Sequence, residues 1–122
     1  MPKITIYYDP EKVLRGILMK LSKEISGVIC DAFCLLEPDS SLSEDTVEVY
    51  FHEKGTFDRM GGTDLSLMVE IGDTPERSEN LASYRDSLEN SLRTLGLEKL
   101  VVRAQIQLRS RAKISMIPAD RE

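Results

Sequence analysis

The sequence predicts an α/β (α+β) fold: two β-α-β repeats forming a four-stranded sheet with two helices on one face, plus a C-terminal strand. Three observations carry this. Segments of apolar–polar alternation occur four times, at residues 3–8, 46–53, 65–71 and from about 100 onward. Segments with helical spacing of apolar residues separate the first from the second and the third from the fourth. The two halves, each of about 61 residues, present these elements in the same order. A chain of 122 residues is expected to be a single domain with a sizeable core. Repeat 1 is read over about 2–62, repeat 2 over about 63–109 and a tail over 110–122.

Residues 3–8 are rich in β-formers and alternate, which makes them the first strand. Asp9-Pro10-Glu11 then predicts a helix start, with Asp9 as N-cap and Pro10 at the first helical position. Val13, Leu14, Ile17, Leu18, Leu21, Ile25, Val28 and Ile29 give that helix one broad apolar face. Glu37 to Asp45 is polar, with Pro38 and three serines, and reads as a loop. Thr46 to Glu53 is the second strand, with Val47, Val49 and Phe51 on one side.

Leu65 to Ile71 opens the second repeat, and Gly72-Asp73-Thr74-Pro75 turns into a helix with Thr74 as N-cap. Leu81, Tyr84, Leu88, Leu92 and Leu95 form its buried stripe, and Gly96 is a natural C-cap. In the last strand Val102, Ala104, Ile106 and Leu108 face one way, with Arg103, Gln105, Gln107 and Arg109 opposite. The alternation continues through Ala112, Ile114 and Met116, too far for one strand, so a break is expected near Ser110. The short strand beyond it is expected to pair with a neighbouring subunit. Each unit should hold parallel strands joined by a helical crossover. With both helices on one face, the other is expected to expose apolar residues such as Ile4, Ile6, Val49 and Met68. That predicts self-association.

The net charge of −5 argues against sequence-independent nucleic-acid binding, which needs a surplus of Lys and Arg. No apolar run reaches the length of a membrane span, and no signal-peptide pattern precedes one, so the expected compartment is the cytoplasm. Cys30 and Cys34 share one helical face, and with a single histidine, His52, they make no convincing metal set. They read as reduced thiols. Gly61-Gly62 lacks the context of a phosphate-binding loop and reads as turn chemistry.

The residue singled out for chemistry is Pro2, although a proline at position 2 is common and need have no role. If Met1 is cleaved, Pro2 becomes an N-terminal secondary amine at the start of a buried strand. A free α-amine has an ordinary pKa of about 8, and an apolar site lowers it towards neutrality. That suits a general base working near neutral pH. If Met1 stays, there is no free amine and this chemistry fails.

A Pro2-initiated strand, a helix, a strand and a glycine-rich hairpin together resemble the tautomerase superfamily, whose catalytic base is an N-terminal proline. The local match is Val47-Glu48-Val49-Tyr50-Phe51-His52-Glu53, then Lys54-Gly55-Thr56-Phe57 and Gly61-Gly62. Short tautomerases carry a similar strand, then Lys-Gly-x-Phe and a Gly-Gly pair, with one residue fewer between. The two-repeat length is similar to the 5-carboxymethyl-2-hydroxymuconate isomerase and macrophage migration inhibitory factor branches, which assemble as trimers. The resemblance covers roughly residues 2–108.

It implies an isomerase that needs no cofactor or metal, with a small-molecule carboxylate as substrate and a homotrimer as the assembly. Pro2 falls where the family has its base. Phe57 matches an aromatic that keeps the proline's pocket apolar. An arginine in the first helical turn, which holds a substrate carboxylate, corresponds to Lys12 in the first repeat and Arg77 in the second. A second arginine, in the strand after the helix, is replaced by Glu48 in the first repeat and retained as Arg103 in the second. Glu48 would repel a dicarboxylate if it lined the pocket.

Each cation also has a plain reading, Lys12 and Arg77 as solvated helix-start residues, and Arg103 with Arg109, Arg111 and Lys113 as a solvated strand face or an inter-subunit charge seam. His52 has no evident partner besides Glu53. Two alternatives stay open: a non-catalytic trimeric scaffold or anion-binding module of the same fold, and a ferredoxin-like β-α-β-β-α-β module for small ligands.

Overall fold

The computed structural model describes residues 2–37 and 42–109. Strand β1 (Lys3–Tyr8) is followed by helix α1 (Arg15–Cys34), a single 3-10 turn at Glu44–Thr46 and strand β2 (Glu48–Glu53). Strand β3 (Leu65–Gly72) is followed by α2 (Pro75–Glu79), α3 (Leu81–Leu92) and strand β4 (Val102–Arg109). The sheet order is β2-β1-β3-β4. Strands β1 and β2 are parallel, β3 and β4 are parallel, and β1 meets β3 antiparallel at the centre. Thus the strands joined by a helix lie side by side, whereas the split β-α-β of a ferredoxin-like fold separates them. That alternative is set aside.

Side chains alternate across the sheet, and the register assigns every one to a face. Ile4, Ile6, Leu65, Leu67, Val69 and Ile71 are buried with Leu21, Ile25, Ile29 and Phe33 of α1 and Tyr84 and Leu88 of α3. The partly buried Val49 and Phe51 of β2 pack against this core, as do Val102, Ala104, Ile106 and Leu108 of β4. Ile4, Ile6 and Val49 therefore belong to the helix side. The expectation that they line the open face is corrected, because residues of one parity on one strand cannot serve both faces.

On the open face the register makes three cross-strand rows. They are Glu48–Lys3–Glu70–Gln107, then Tyr50–Thr5–Met68–Gln105, then His52–Tyr7–Ser66–Arg103. Met68 is their one aliphatic member. The open face is mostly polar, with Tyr7 and Tyr50 as its exposed aromatics.

Two local readings also change. The helix after β1 does not start at Pro10. Asp9 caps a separate turn, accepting from Glu11 N–H through Oδ1 (3.0 Å) and from Lys12 and Val13 N–H through its carbonyl (3.0 and 2.9 Å). Val13 reaches the core from that turn, while Leu14, now the N-cap of α1, is exposed. In the second repeat Thr74 caps as expected, its hydroxyl accepting from Arg77 N–H at 3.1 Å with Pro75 in the first helical position. The helix then breaks at Asn80, whose backbone leaves the helical region (φ −116°, ψ 26°), so α2 and α3 are separate. Gly96 closes the far end at φ 69°.

The glycine-rich segment is not a hairpin. Strands β2 and β3 are both neighbours of β1 and not of each other. Residues 54–64 instead carry the chain across the end of β1, tied there by Lys54 N–H to the Tyr8 carbonyl (2.8 Å) and Asp9 N–H to the Asp64 carbonyl (3.0 Å). The strand expected over 111–116 lies outside the described residues.

Candidate active site

Pro2 heads β1, which lies between the parallel β2 and the antiparallel β3. Its side chain is less than 2% exposed, and its carbonyl accepts from Glu48 N–H at 3.0 Å. Continuing the antiparallel register past Lys3↔Glu70 sets Pro2 beside Ile71 and Gly72, at the end of the sheet from which β3 runs towards α2.

Arg77 lies at this same end. Its Nε and Nη2 donate to the two carboxylate oxygens of Glu37, both at 2.8 Å, and its Nη1 donates to the Gly72 carbonyl at 2.8 Å. Tyr84 Oη donates to Glu37 Oε2 at 2.6 Å. The guanidinium thus holds a carboxylate already, one from the chain, and the pair is well covered, with side chains 12% and 15% exposed. The arrangement ties the end of α1 to the β3–α2 corner and to α3. The Arg77 hydrogen bonds hold the Glu37 carboxyl below the usual carboxylate range, against the opposing effect of burial and with help from Tyr84. Burial, and then the hydrogen bond to Glu37, push the Tyr84 hydroxyl up to about 12.

Glu48 follows Pro2's hydrogen bond onto the open face, where its carboxylate accepts from Tyr50 Oη at 3.0 Å. That bond raises the pKa of the Tyr50 hydroxyl. Lys3 Nζ sits 5.4 Å from the centre of the Tyr50 ring.

The other expected site residues gather at the opposite end. Arg103 is opposite Ser66, which is opposite Tyr7, five residues along β1 from Pro2. At about 3.3 Å per residue that is roughly 17 Å away. Lys12 is exposed in the turn after β1, and Phe57, in the segment 54–64, is 96% exposed. Within one chain, then, Pro2 is near Arg77 and far from Arg103, Lys12 and Phe57. Glu37 and Tyr84 were not singled out for the site by sequence. Glu37 is 40 residues from Arg77 and looks like any loop glutamate, and Tyr84 fits the helix stripe as a core aromatic. Cys30 is buried and Cys34 half-buried, both free; burial, then the neighbouring Cys34, pushes the Cys30 thiol up.

The fold is that of the tautomerase superfamily. Pt0534 inactivated by 2-oxo-3-pentynoate superposes with a TM-score of 0.61 at 21% identity, over 93% of this chain and 90% of that one. The symmetric trimer of the wild-type fused 4-OT named Q0 gives 0.59 at 13% identity, over 97% and 92%. Malonate semialdehyde decarboxylase gives 0.58 at 14% identity, over 95% and 91%. At the level of sequence, no family model and no curated protein matches the chain.

Proposed function

We propose that this protein is an isomerase of the keto–enol tautomerase type, moving a proton within an unsaturated keto or hydroxy carboxylic acid. The observation that carries the reading is Pro2, fully buried at the head of β1 in a tautomerase fold. Removal of Met1 turns its nitrogen into a free secondary amine. The amine takes a proton from a dienol hydroxyl or from the carbon beside a carbonyl and returns it to another carbon. A cation holding the substrate carboxylate keeps this geometry and disperses the developing enolate charge.

Of the cations read for that role, Arg77 is occupied by Glu37, while Arg103 and Lys12 sit at the other end of the sheet. The working protein is therefore proposed to be a homo-oligomer, a trimer as described for fused 4-OT, in which Arg103 and Lys12 of one copy serve Pro2 of another. Phe57 is covered in the same contact. Two free cysteines suit the cytoplasm.

The test has three parts. The mass of protein purified from its own cells is expected to lack Met1. Turnover of 2-hydroxymuconate or phenylenolpyruvate is expected to fall at least 100-fold in Pro2→Ala. Treatment with 2-oxo-3-pentynoate is expected to add one whole reagent to Pro2, since an amine adding across an activated triple bond expels nothing. A mass that retains Met1, or equal rates in the variant, defeats the proposal. The second reading, a non-catalytic anion-binding protein of the same fold, would then stand, and Glu48, in the strand position where the resemblance expects an arginine, favours it.

A further inference from the structure

Cys30 and Cys34 stand one turn apart on α1, and the proposed reaction uses neither. Cys30 is 7% exposed, whereas Cys34, the last residue of the helix, is half-buried and opens that face to solvent. Both are free thiols. Cys34 and the carboxylates of Glu44 and Asp31 are the ionisable groups that act on the Cys30 sulfur. Glu44 comes close to this face because position 27, three residues before Cys30, is glycine. A Cβ there would lie 2.9 Å from Glu44 Oε1. Two sulfurs with a carboxylate laid beside them make a face that favours a cation.

The spacing decides what the pair can hold. Residues four apart on a helix have Cβ atoms about 5–6 Å apart. A disulfide needs about 3.5–4.5 Å, so the pair closes one only by deforming the last turn of α1. An ion between the sulfurs asks for a wider span. Two metal–sulfur bonds of about 2.3 Å in line set the sulfurs about 4.6 Å apart, which rotation about χ1 reaches from this Cβ spacing. No third His, Cys, Asp or Glu completes a ligand set among the described residues. That disfavours zinc, which takes four donors, and suits a soft ion satisfied by two thiolates. From this geometry we infer that Cys30 and Cys34 form a two-thiolate site for a soft monovalent cation, copper(I). Each thiol gives up its proton, two sulfur–copper bonds form, and no oxidation state changes. The ion braces the last turn of α1, three residues before Glu37 meets Arg77 and Tyr84. It takes no part in the proton transfer and needs no amine at Pro2.

The experiment is a titration of the full, reduced chain with copper(I) in the absence of oxygen, in competition with a coloured copper(I) chelator. Native mass spectrometry counts the bound ions. One copper per chain is expected, with thiolate-to-metal absorption in the ultraviolet and both cysteines shielded from iodoacetamide. Cys30→Ser and Cys34→Ser should each weaken binding at least about 100-fold. Glu44→Gln, which removes only the nearby charge, should weaken it about threefold. Zinc(II) at the same concentration is expected not to be retained, and diamide is expected to leave the two thiols unbridged within a chain. Because Cys30→Ser puts a hydroxyl into the core, Cys34→Ser is the decisive variant, with unchanged far-ultraviolet circular dichroism as the check that it folds. Unchanged copper affinity in Cys34→Ser, one ion shared between two chains, or zinc held as tightly as copper would each overturn the site. Ready closure of an intrachain disulfide would overturn the spacing on which it rests.

Discussion

At the Pro2 end of the sheet Arg77 is enclosed with Glu37 and Tyr84, all three of its donor nitrogens used. At the Arg103 end, on the same four strands, an exposed arginine shares a groove with Glu53 and Asp58 but forms no ion pair with a described residue, and the Tyr7 and His52 rings beside it stack on one another. One end spends its cation on the fold and the other keeps it available. The contrast teaches that an arginine's place in a repeat does not fix its task. A carboxylate 40 residues away in sequence decides whether the fork is structural or free to bind.

Removing each arginine in turn should break that comparison most sharply. Arg77→Ala leaves the largely buried Glu37 carboxylate without its fork, and is expected to cost about 3 kcal/mol in denaturant unfolding. Arg103→Ala should change stability by less than about 0.5 kcal/mol, since no described residue depends on it. Similar costs for the two would erase the distinction.

The next largest effect is a pH dependence confined to the closed end. Because the Glu37 pKa is depressed on folding, its contribution is complete above the ordinary carboxylate value and is lost as pH falls through the lower folded value. The destabilisation caused by Glu37→Gln should therefore be present at pH 7 and shrink steadily in acid. A difference from the unsubstituted chain that stays constant down to pH 2 would mean that the pair contributes nothing through charge. A smaller effect comes from the cap that presents Arg77. Thr74→Ala removes the acceptor for Arg77 N–H and is expected to cost about 1 kcal/mol, lowering the thermal midpoint by several degrees.

Much of the fold was legible because each element carried its own local signal. The alternation of 65–71 and 102–108 separates the two faces in the structure as it does in the sequence, and Thr74-Pro75 marks a helix start by capping chemistry alone. The start of α1 was misread because Asp9-Pro10 satisfies the same local rule while serving only a turn. Nothing in residues 10–14 reveals that the helix waits for Arg15. The hairpin reading failed for a different reason. Glycines announce a change of direction, but which strand lies beside which is set by long-range pairing, and here β1 comes between β2 and β3. The site was legible residue by residue and not as a constellation. Pro2 and Arg103 are visible singly, yet the length of β1 between them emerges only from the register.

Finally, among the described residues the sheet joins the two repeats through the β1–β3 pair alone, and the peptide link between them is the segment 54–64. A chain severed between Phe57 and Asp58 would yield two β-α-β fragments, each with a bare strand edge and an uncovered apolar helix face. The fragments are expected to recombine into one folded unit when mixed, since nearly all the lost covalent restraint is loop-closure entropy. Size-exclusion chromatography of the mixture would report it. The molecule then behaves as a tethered heterodimer, whose two halves are free to be exchanged or recombined separately.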